Sequence, residues 1–415
     1  MEEAGNAAAP LLPPAGPSAA SNGALARHLK MATRLSWAAN WLLLVLKIAA
    51  FALSMSKAVL ASLADSAVDL ASQMVLSVAE HSMKRYNPRF PIGRGKLEAL
   101  AVICCASIMS MASLEVVQFS ALDLYNGWAK GERPSLELGP AMFAILLLGS
   151  AMKLSLYWYC NWLKGSSDSM GALAEDHIND VASNLGALLA AVVVKAWPEG
   201  WWVDGAAAIV IALVIMLRWS MITYSQVLKI VGQAAPEAFT RQVEALAAAH
   251  HPALEVDVVR CYHFGPRYNV EMEVVLPGAM TVAESHDIAL DLQHKLEALE
   301  DVERAFVHVD YEKRSWPEHK VERTLMERQA ARRGATSQQA PPALVAGAML
   351  KFLAMVALLV ALTATSVAAQ AASPPPAGNS TVPLYQTNAM VSVLPILLLF
   401  FIPISLVFCC TVCMN

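Results

Sequence analysis

Asp65-Ser66-Ala67-Val68-Asp69 and Asp176-His177-Ile178-Asn179-Asp180 decide how this chain is read. Each sets two aspartates four residues apart inside a stretch that otherwise reads as a membrane helix. At that spacing both carboxylates share one helix face, roughly 5–6 Å apart at Cβ. A carboxylate at bilayer depth costs on the order of 3 kcal/mol or more, so it is rare and marks function. One intramembrane aspartate is explained by a helix–helix hydrogen bond. Four are not, because four buried negative charges without a cation are untenable. Two such pairs facing each other make an oxygen-rich cage for a divalent cation. When the cation leaves, protons take its place, so metal and protons compete for one site.

The flanking sequence agrees with a membrane setting. Of 415 residues, 56% are hydrophobic and 15% charged, and mean hydropathy is +0.46. A soluble domain carries roughly 25% charged residues. The formal net charge of −4 gives no sign of a nucleic-acid partner. The seven cysteines form no disulfide framework, and the acidic, Pro/Ala-rich start lacks the basic and apolar regions of a signal peptide.

Residues 1–34 are expected to be a disordered tail, most clearly up to residue 24, because Pro, Gly, Ser and Ala offer little to bury. Six apolar segments follow, at about 35–55, 57–80, 97–120, 139–162, 169–196 and 202–224. Together they make a six-helix transmembrane domain over 35–224. Arg27, Lys30 and Arg34 precede the first segment, and Lys84, Arg85, Arg89, Arg94 and Lys96 crowd the loop after the second. The positive-inside rule then places both ends of the 1–340 core in the cytosol. Trp197, Trp201 and Trp202 read as an aromatic belt on the opposite face.

Residues 233–313 change character. Pro236–His250 reads as an amphipathic helix, Glu255–Tyr262 and Tyr268–Leu276 as strands, and Thr281–Leu299 as a helix opened by a Thr281/Glu284 capping box. Arg304–Tyr311 reads as a third strand. The order αββαβ predicts a small open sheet with helices on one face. A charged helix near Trp316–Arg333 fills the linker 314–340.

The tail 341–415 is atypical, with apolar runs at Met349–Gln370 and about Val391–Cys410 around a Pro-rich stretch and the sequon at Asn379. Two readings stand. It is a pair of extra membrane helices, or it is a fused reading frame resembling a small secreted, lipid-anchored arabinogalactan-type peptide.

Around the two aspartate pairs lie weaker candidates. His177 adjoins Asp176, so it points about 100° away on the helix; a packing or mouth role is expected before ligation. Asn40, Asn184 and Asp204 read as polar helix contacts or pathway residues. Lys47 and Lys153 fall mid-segment, where a lysine snorkels or pairs with an acid. In the soluble part, His308 and Asp310 share a strand face, without a clean metal pattern.

These residues resemble the cation diffusion facilitator family, in its manganese-type branch as found in plant metal tolerance proteins. The resemblance covers roughly 35–313. It rests on the two aspartate motifs, on Tyr86-Asn87-Pro88-Arg89-Phe90-Pro91-Ile92-Gly93, on Trp201-Trp202-Val203-Asp204, on Val231-Gly232-Gln233-Ala234-Ala235-Pro236-Glu237 and on Ala305-Phe306-Val307-His308-Val309-Asp310-Tyr311-Glu312. The family implies a homodimer of six-helix subunits with a cytosolic ferredoxin-like dimerisation domain over 233–313. It implies export of divalent metal from the cytosol in exchange for protons, with Asp65, Asp69, Asp176 and Asp180 as metal ligands. The zinc branch has His where this chain has Asp176, so Mn²⁺ is the expected cargo, with Zn²⁺ or Fe²⁺ as the alternatives. The metal is a transported substrate, and no prosthetic group is expected. Departures from the zinc members sit at Phe90 and Arg94, where a second metal site is not expected, and at Glu271 and Glu273, which occupy the central strand of the soluble domain.

The implied setting is an endomembrane (Golgi, vacuole or prevacuolar vesicle) before the plasma membrane. Two rival readings are weaker. An intramembrane aspartyl protease uses one aspartate per helix and a Gly-x-Gly-Asp signature that this sequence lacks, so no enzyme is expected. A non-transporting dimer subunit has no need of four intact aspartates.

Overall fold

The computed structural model describes residues 19–54, 57–85, 87–131 and 140–313, with isolated positions from 320 to 328. The tail 341–415 and most of the charged helix expected near 316–333 lie outside the described residues.

Six long helices come first: α1 (Ala19–Ser54), α2 (Lys57–Met83), α3 (Lys96–Ala129), α4 (Pro140–Leu163), α5 (Asp168–Ala196) and α6 (Trp202–Val231). All but α2 are long and apolar enough to cross a membrane by length and composition. The 27 residues of α2 span about 40 Å at 1.5 Å per residue, more than a bilayer core. Its apolarity is diluted by Asp65, Asp69, Gln73 and Glu80. That dilution is the cost of carrying the first aspartate pair.

Neighbouring helices pack so that the bundle closes into a ring, in the order α1-α2-α3-α6-α5-α4 and back to α1. Apolar side chains such as Trp41, Leu148, Trp158, Leu189 and Val210 point outward and stay exposed, as lipid-facing residues do. Small residues let the helices approach. A Cβ on Gly186 would sit 2.4 Å from Ile211 Cδ1, so a larger residue there would force the Ile211 side chain aside.

The bundle's largest buried cluster lies at one end, and a smaller one, Leu146 with Leu188, lies toward the other. Ala32 of α1, Leu76 of α2, Ala101–Met109 of α3, Cys160 and Leu163 of α4, Met170–Ala174 of α5 and Trp219 of α6 form one buried cluster. All lie toward the end where α1, α3 and α5 begin. Helix α1 starts at Ala19, earlier than expected, because Leu25, Leu29 and Ala32 recur at helical spacing and pack on this cluster. Residues 24–34 are therefore helix, not disordered tail. At the opposite end Trp197 and Trp202 are exposed, as a belt requires. Trp201 departs from that expectation: it is buried, edge-on to Trp128 at 5.9 Å.

Gly232 ends α6 in the left-handed region (φ +88°) and turns the chain into the soluble part. There α7 (Glu237–Ala248) and α8 (Val282–Glu297) cover a three-stranded sheet of β1 (Glu255–Phe264), β2 (Arg267–Val275) and β3 (Val302–Asp310), ordered β1-β2-β3. β1 pairs antiparallel with β2, and β2 parallel with β3. The expected αββαβ order and the Thr281/Glu284 capping box are both present. Val243, Leu292 and Leu296 of the helices bury against Val270, Met272 and Val274 of β2.

Candidate metal centre

Lys153, halfway along α4, brings the carboxylates together. Its Nζ lies 3.4 Å from Asp69 Oδ2 of α2, 4.0 Å from Asp176 Oδ2 of α5, and in contact with Asp180 Oδ2 of α5. Asp69, Asp176 and Lys153 are buried, and Asp180 is half-buried. Three of the four predicted aspartates thus converge on one point from two helices. Asp65 lies one turn from Asp69 and is exposed to the same cavity rather than to that point.

The cavity holds about 210 Å³ inside the helix ring. Asp65, Asp69 and Asp180 line its inner part, and Asn184 and Asp204 line the part toward the start of α6. Asn184 and Asp204 thus share the cavity with the carboxylates. The cavity runs toward the end of the bundle that carries Trp197 and Trp202. On the other side of the cluster, Asp176, His177, Asn40 and Gln73 are all at most 3% exposed, and the packed core begins beyond them. Toward the soluble part the cluster is thus capped by buried residues, and toward the start of α6 the cavity reaches Asp204.

Why α5 stands where it does follows from its first turn. Ser167 precedes the helix without capping it through its own side chain. Instead Glu98 of α3 supplies the acceptor: its Oε1 accepts from Ser167 Oγ at 2.6 Å and from the Ser169 backbone N–H at 3.0 Å. A carboxylate there also suits the positive end of the helix dipole. Lys229 near the end of α6 adds a 2.6 Å bond to Asp168. These contacts fix the height of Asp176 and Asp180 relative to α3 and α6.

His177 points away from the cavity, as the helical angle predicted. It shares a 2.9 Å hydrogen bond with Ser36 of α1 through Nε2. Its ligand atom is still within 4.8 Å of carboxylate oxygens of Asp176 and Asp180, and this trio is the one metal-competent group among the described residues. Lys47 of α1 also lines the cavity, donating to Ser62 O at 2.9 Å and Ser66 Oγ at 2.7 Å. Asn40 donates to Gln73 Oε1 at 3.1 Å.

The sequence left Lys153 to snorkel or to pair with an acid, and the structure sets it between three. Gln73 and Glu98 were missed. Gln73 had a signal, since Asp65, Asp69 and Gln73 repeat every four residues down one face of α2. Glu98 had none, because its partners are about 70 residues away. Buried Asn40 Oδ1, Ser72 Oγ, Gln73 Nε2, Asp176 Oδ1 and Asn179 Nδ2 have no hydrogen-bond partner among the described residues. Orphaned polar atoms clustered in this way are places where water or an ion would complete the hydrogen bonding.

In the soluble part, Glu273 accepts from Arg260 Nη1 at 2.8 Å and Glu271 accepts from the Tyr262 hydroxyl at 2.5 Å. The two acids on the central strand are thus engaged by neighbouring side chains. His308 Nε2 lies 3.8 Å from Asp310 Oδ1 and is largely exposed. Between α2 and α3, the Arg94 guanidinium sits 4.6 Å over the Phe90 ring.

Comparison with known proteins agrees with this architecture. The family model described as the cation efflux transmembrane domain matches residues 33–231, and the one described as the cation efflux protein cytoplasmic domain matches 235–312. Metal tolerance protein 5 of Oryza sativa subsp. japonica is 38% identical over 299 residues, covering 71% of this chain and 70% of its own length. Metal tolerance protein 11 of Arabidopsis thaliana is 36% identical over 297 residues, covering 71% and 74%. Metal tolerance protein 10 of Arabidopsis thaliana is 35% identical over 299 residues, covering 71% and 68%. This multi-pass membrane chain belongs to the cation efflux family, the cation diffusion facilitators, whose members transport divalent metal cations.

Proposed function

We propose that the chain exports Mn²⁺ from the cytosol in exchange for protons, with Asp65, Asp69, Asp176 and Asp180 as the transport site. The observation that carries this reading is the charge content of the centre. Four carboxylates stand against two ammonium groups, Lys47 and Lys153, leaving two formal negative charges that one divalent cation balances. The donors are oxygen, which favours Mn²⁺ over Zn²⁺. His177 offers the nitrogen a zinc site would use, and its proximity to Asp176 and Asp180 is the observation that keeps zinc as the second reading. Its Nε2 is engaged by Ser36, while its buried Nδ1 has no hydrogen-bond partner among the described residues and is the nitrogen that second reading would use.

The cavity supports a working direction. With the soluble part cytosolic, the site is closed to the cytosol and reaches toward Asp204, a state suited to release. An acidic lumen there protonates the aspartates as metal departs. Residues 35–224 then form the transport domain and 233–313 the cytosolic dimerisation domain of a homodimer in an endomembrane. Metal-resolved uptake into proteoliposomes under a pH gradient tests the reading. Zinc preferred over manganese in the wild type would sink the cargo assignment, and uptake indifferent to a protonophore would sink the exchange.

A further inference from the structure

We propose that Lys153 is a tethered internal cation that occupies the metal position whenever cargo is absent, and that metal binds by displacing its ammonium group. The inference rests on the transport site proposed above and goes beyond it by naming what holds the empty site together.

The geometry argues against an ordinary structural ion pair. One carboxylate would satisfy a pair, whereas the Lys153 ammonium faces three, from α2 and from two turns of α5. In each case the facing oxygen is Oδ2, so the three side chains turn one oxygen apiece toward a common point. Asp176 Oδ1, on the far side of its carboxylate, has no hydrogen-bond partner among the described residues. A convergent set of oxygens around one positive charge is how a cation is coordinated. The ammonium is a compact charge on a flexible four-carbon stem, so it can leave without moving α4. It also has somewhere to go, since Lys153 lines the 210 Å³ cavity that opens beside it. Lys47 differs: its Nζ is held by Ser62 O and Ser66 Oγ and is not within ion-pair distance of the three aspartates.

Two consequences follow. Asp69, Asp176 and Asp180 would repel one another in an empty carrier; Lys153 offsets one of the three charges, and the protons exchanged for metal offset the others. In exchange, the site is open to metal only in the fraction of molecules whose ammonium has withdrawn, which weakens apparent affinity by that fraction.

The test is a Mn²⁺ titration of the full chain in lipid nanodiscs, following loss of the electron paramagnetic resonance signal of free aqueous Mn²⁺. Lys153→Met should bind about tenfold to a hundredfold more tightly than wild type, because the competing charge is gone. Lys153→Arg, which keeps the charge, should bind no more tightly than wild type. A Lys153→Met chain that binds equally or more weakly overturns the proposal. Asp180→Ala is run beside it. If that variant binds like wild type, the transport site itself is wrong, a failure distinct from that of the internal cation. A readout on the wild type guards against poor folding of the variants. Lysine acetylation mapped by mass spectrometry should spare Lys153 in metal-free protein and label it once Mn²⁺ is added. Labelling that Mn²⁺ leaves unchanged would also overturn the proposal.

Discussion

Ser36 Oγ and His177 Nε2 meet at 2.9 Å and tie α1 to α5 at the closed end of the cavity. Both residues are fully buried, so the bond holds the two helices together on the side of the cluster that faces the packed end of the bundle. His177 thus ties α1 to α5 through Nε2, and its Nδ1 has no hydrogen-bond partner among the described residues.

His177→Asn should lower thermal stability by about 1 kcal/mol, the usual loss for one buried hydrogen bond. It should leave the order of metal preference as in wild type. Thermal unfolding and competition uptake check the two halves. A switch in preference between zinc and manganese would show that the imidazole is a ligand.

Glu98→Ala should destabilise the bundle by about 1–3 kcal/mol, because it leaves the first turn of α5 without its acceptor. Glu98→Gln should lose less, since one oxygen remains to accept. Thermal unfolding of the purified chain measures both. Equal stability in wild type and Glu98→Ala would show that Ser167 or water caps α5 instead.

Gly265, at the β1–β2 turn, touches the loop before α3. It adopts φ +71°, and a Cβ there would lie 3.2 Å from the Gly95 carbonyl. Lys96 adds its ammonium 4.6 Å over the Phe264 ring at the same joint. Gly265→Val should cost about 1 kcal/mol or more through backbone strain. It should slow transport while leaving Mn²⁺ affinity unchanged, because the carboxylates are remote from this joint. Equal loss of affinity would mean the joint shapes the site directly.

Much of this was legible in the sequence for physical reasons. The helices and the αββαβ domain follow from local periodicity and capping, which a sequence carries in adjacent residues. The convergence of Asp69 with Asp180 was inferable because four intramembrane charges have few stable arrangements. What could not be read was pairing across helices. Nothing local shows that Lys153 meets three acids, or that Glu98 caps a helix about 70 residues later. The early start of α1 was hidden by its Ala- and Asn-containing first turns, although Leu25 and Leu29 carried the spacing. The separation of Asp65 from the other three is set by where α2 sits along its own axis, which only packing decides.

The six-helix domain and the cytosolic domain account for the site without residues 341–415. A chain stopped at Gln339 should keep wild-type Mn²⁺ transport. Lost activity in a well-folded truncation would make the tail part of the transporter.

Exchange of divalent metal for protons at four aspartates is the proposed function. The most direct measurement is Mn²⁺ uptake into proteoliposomes with an acidic interior, for wild type, Asp69→Ala and Asp180→Ala at matched protein. Uptake in the wild type should dissipate the pH gradient, and it should fall by about a hundredfold or more in each variant, since each removes an anionic ligand from a buried site. Uptake at the wild-type rate in either variant would contradict the proposed function.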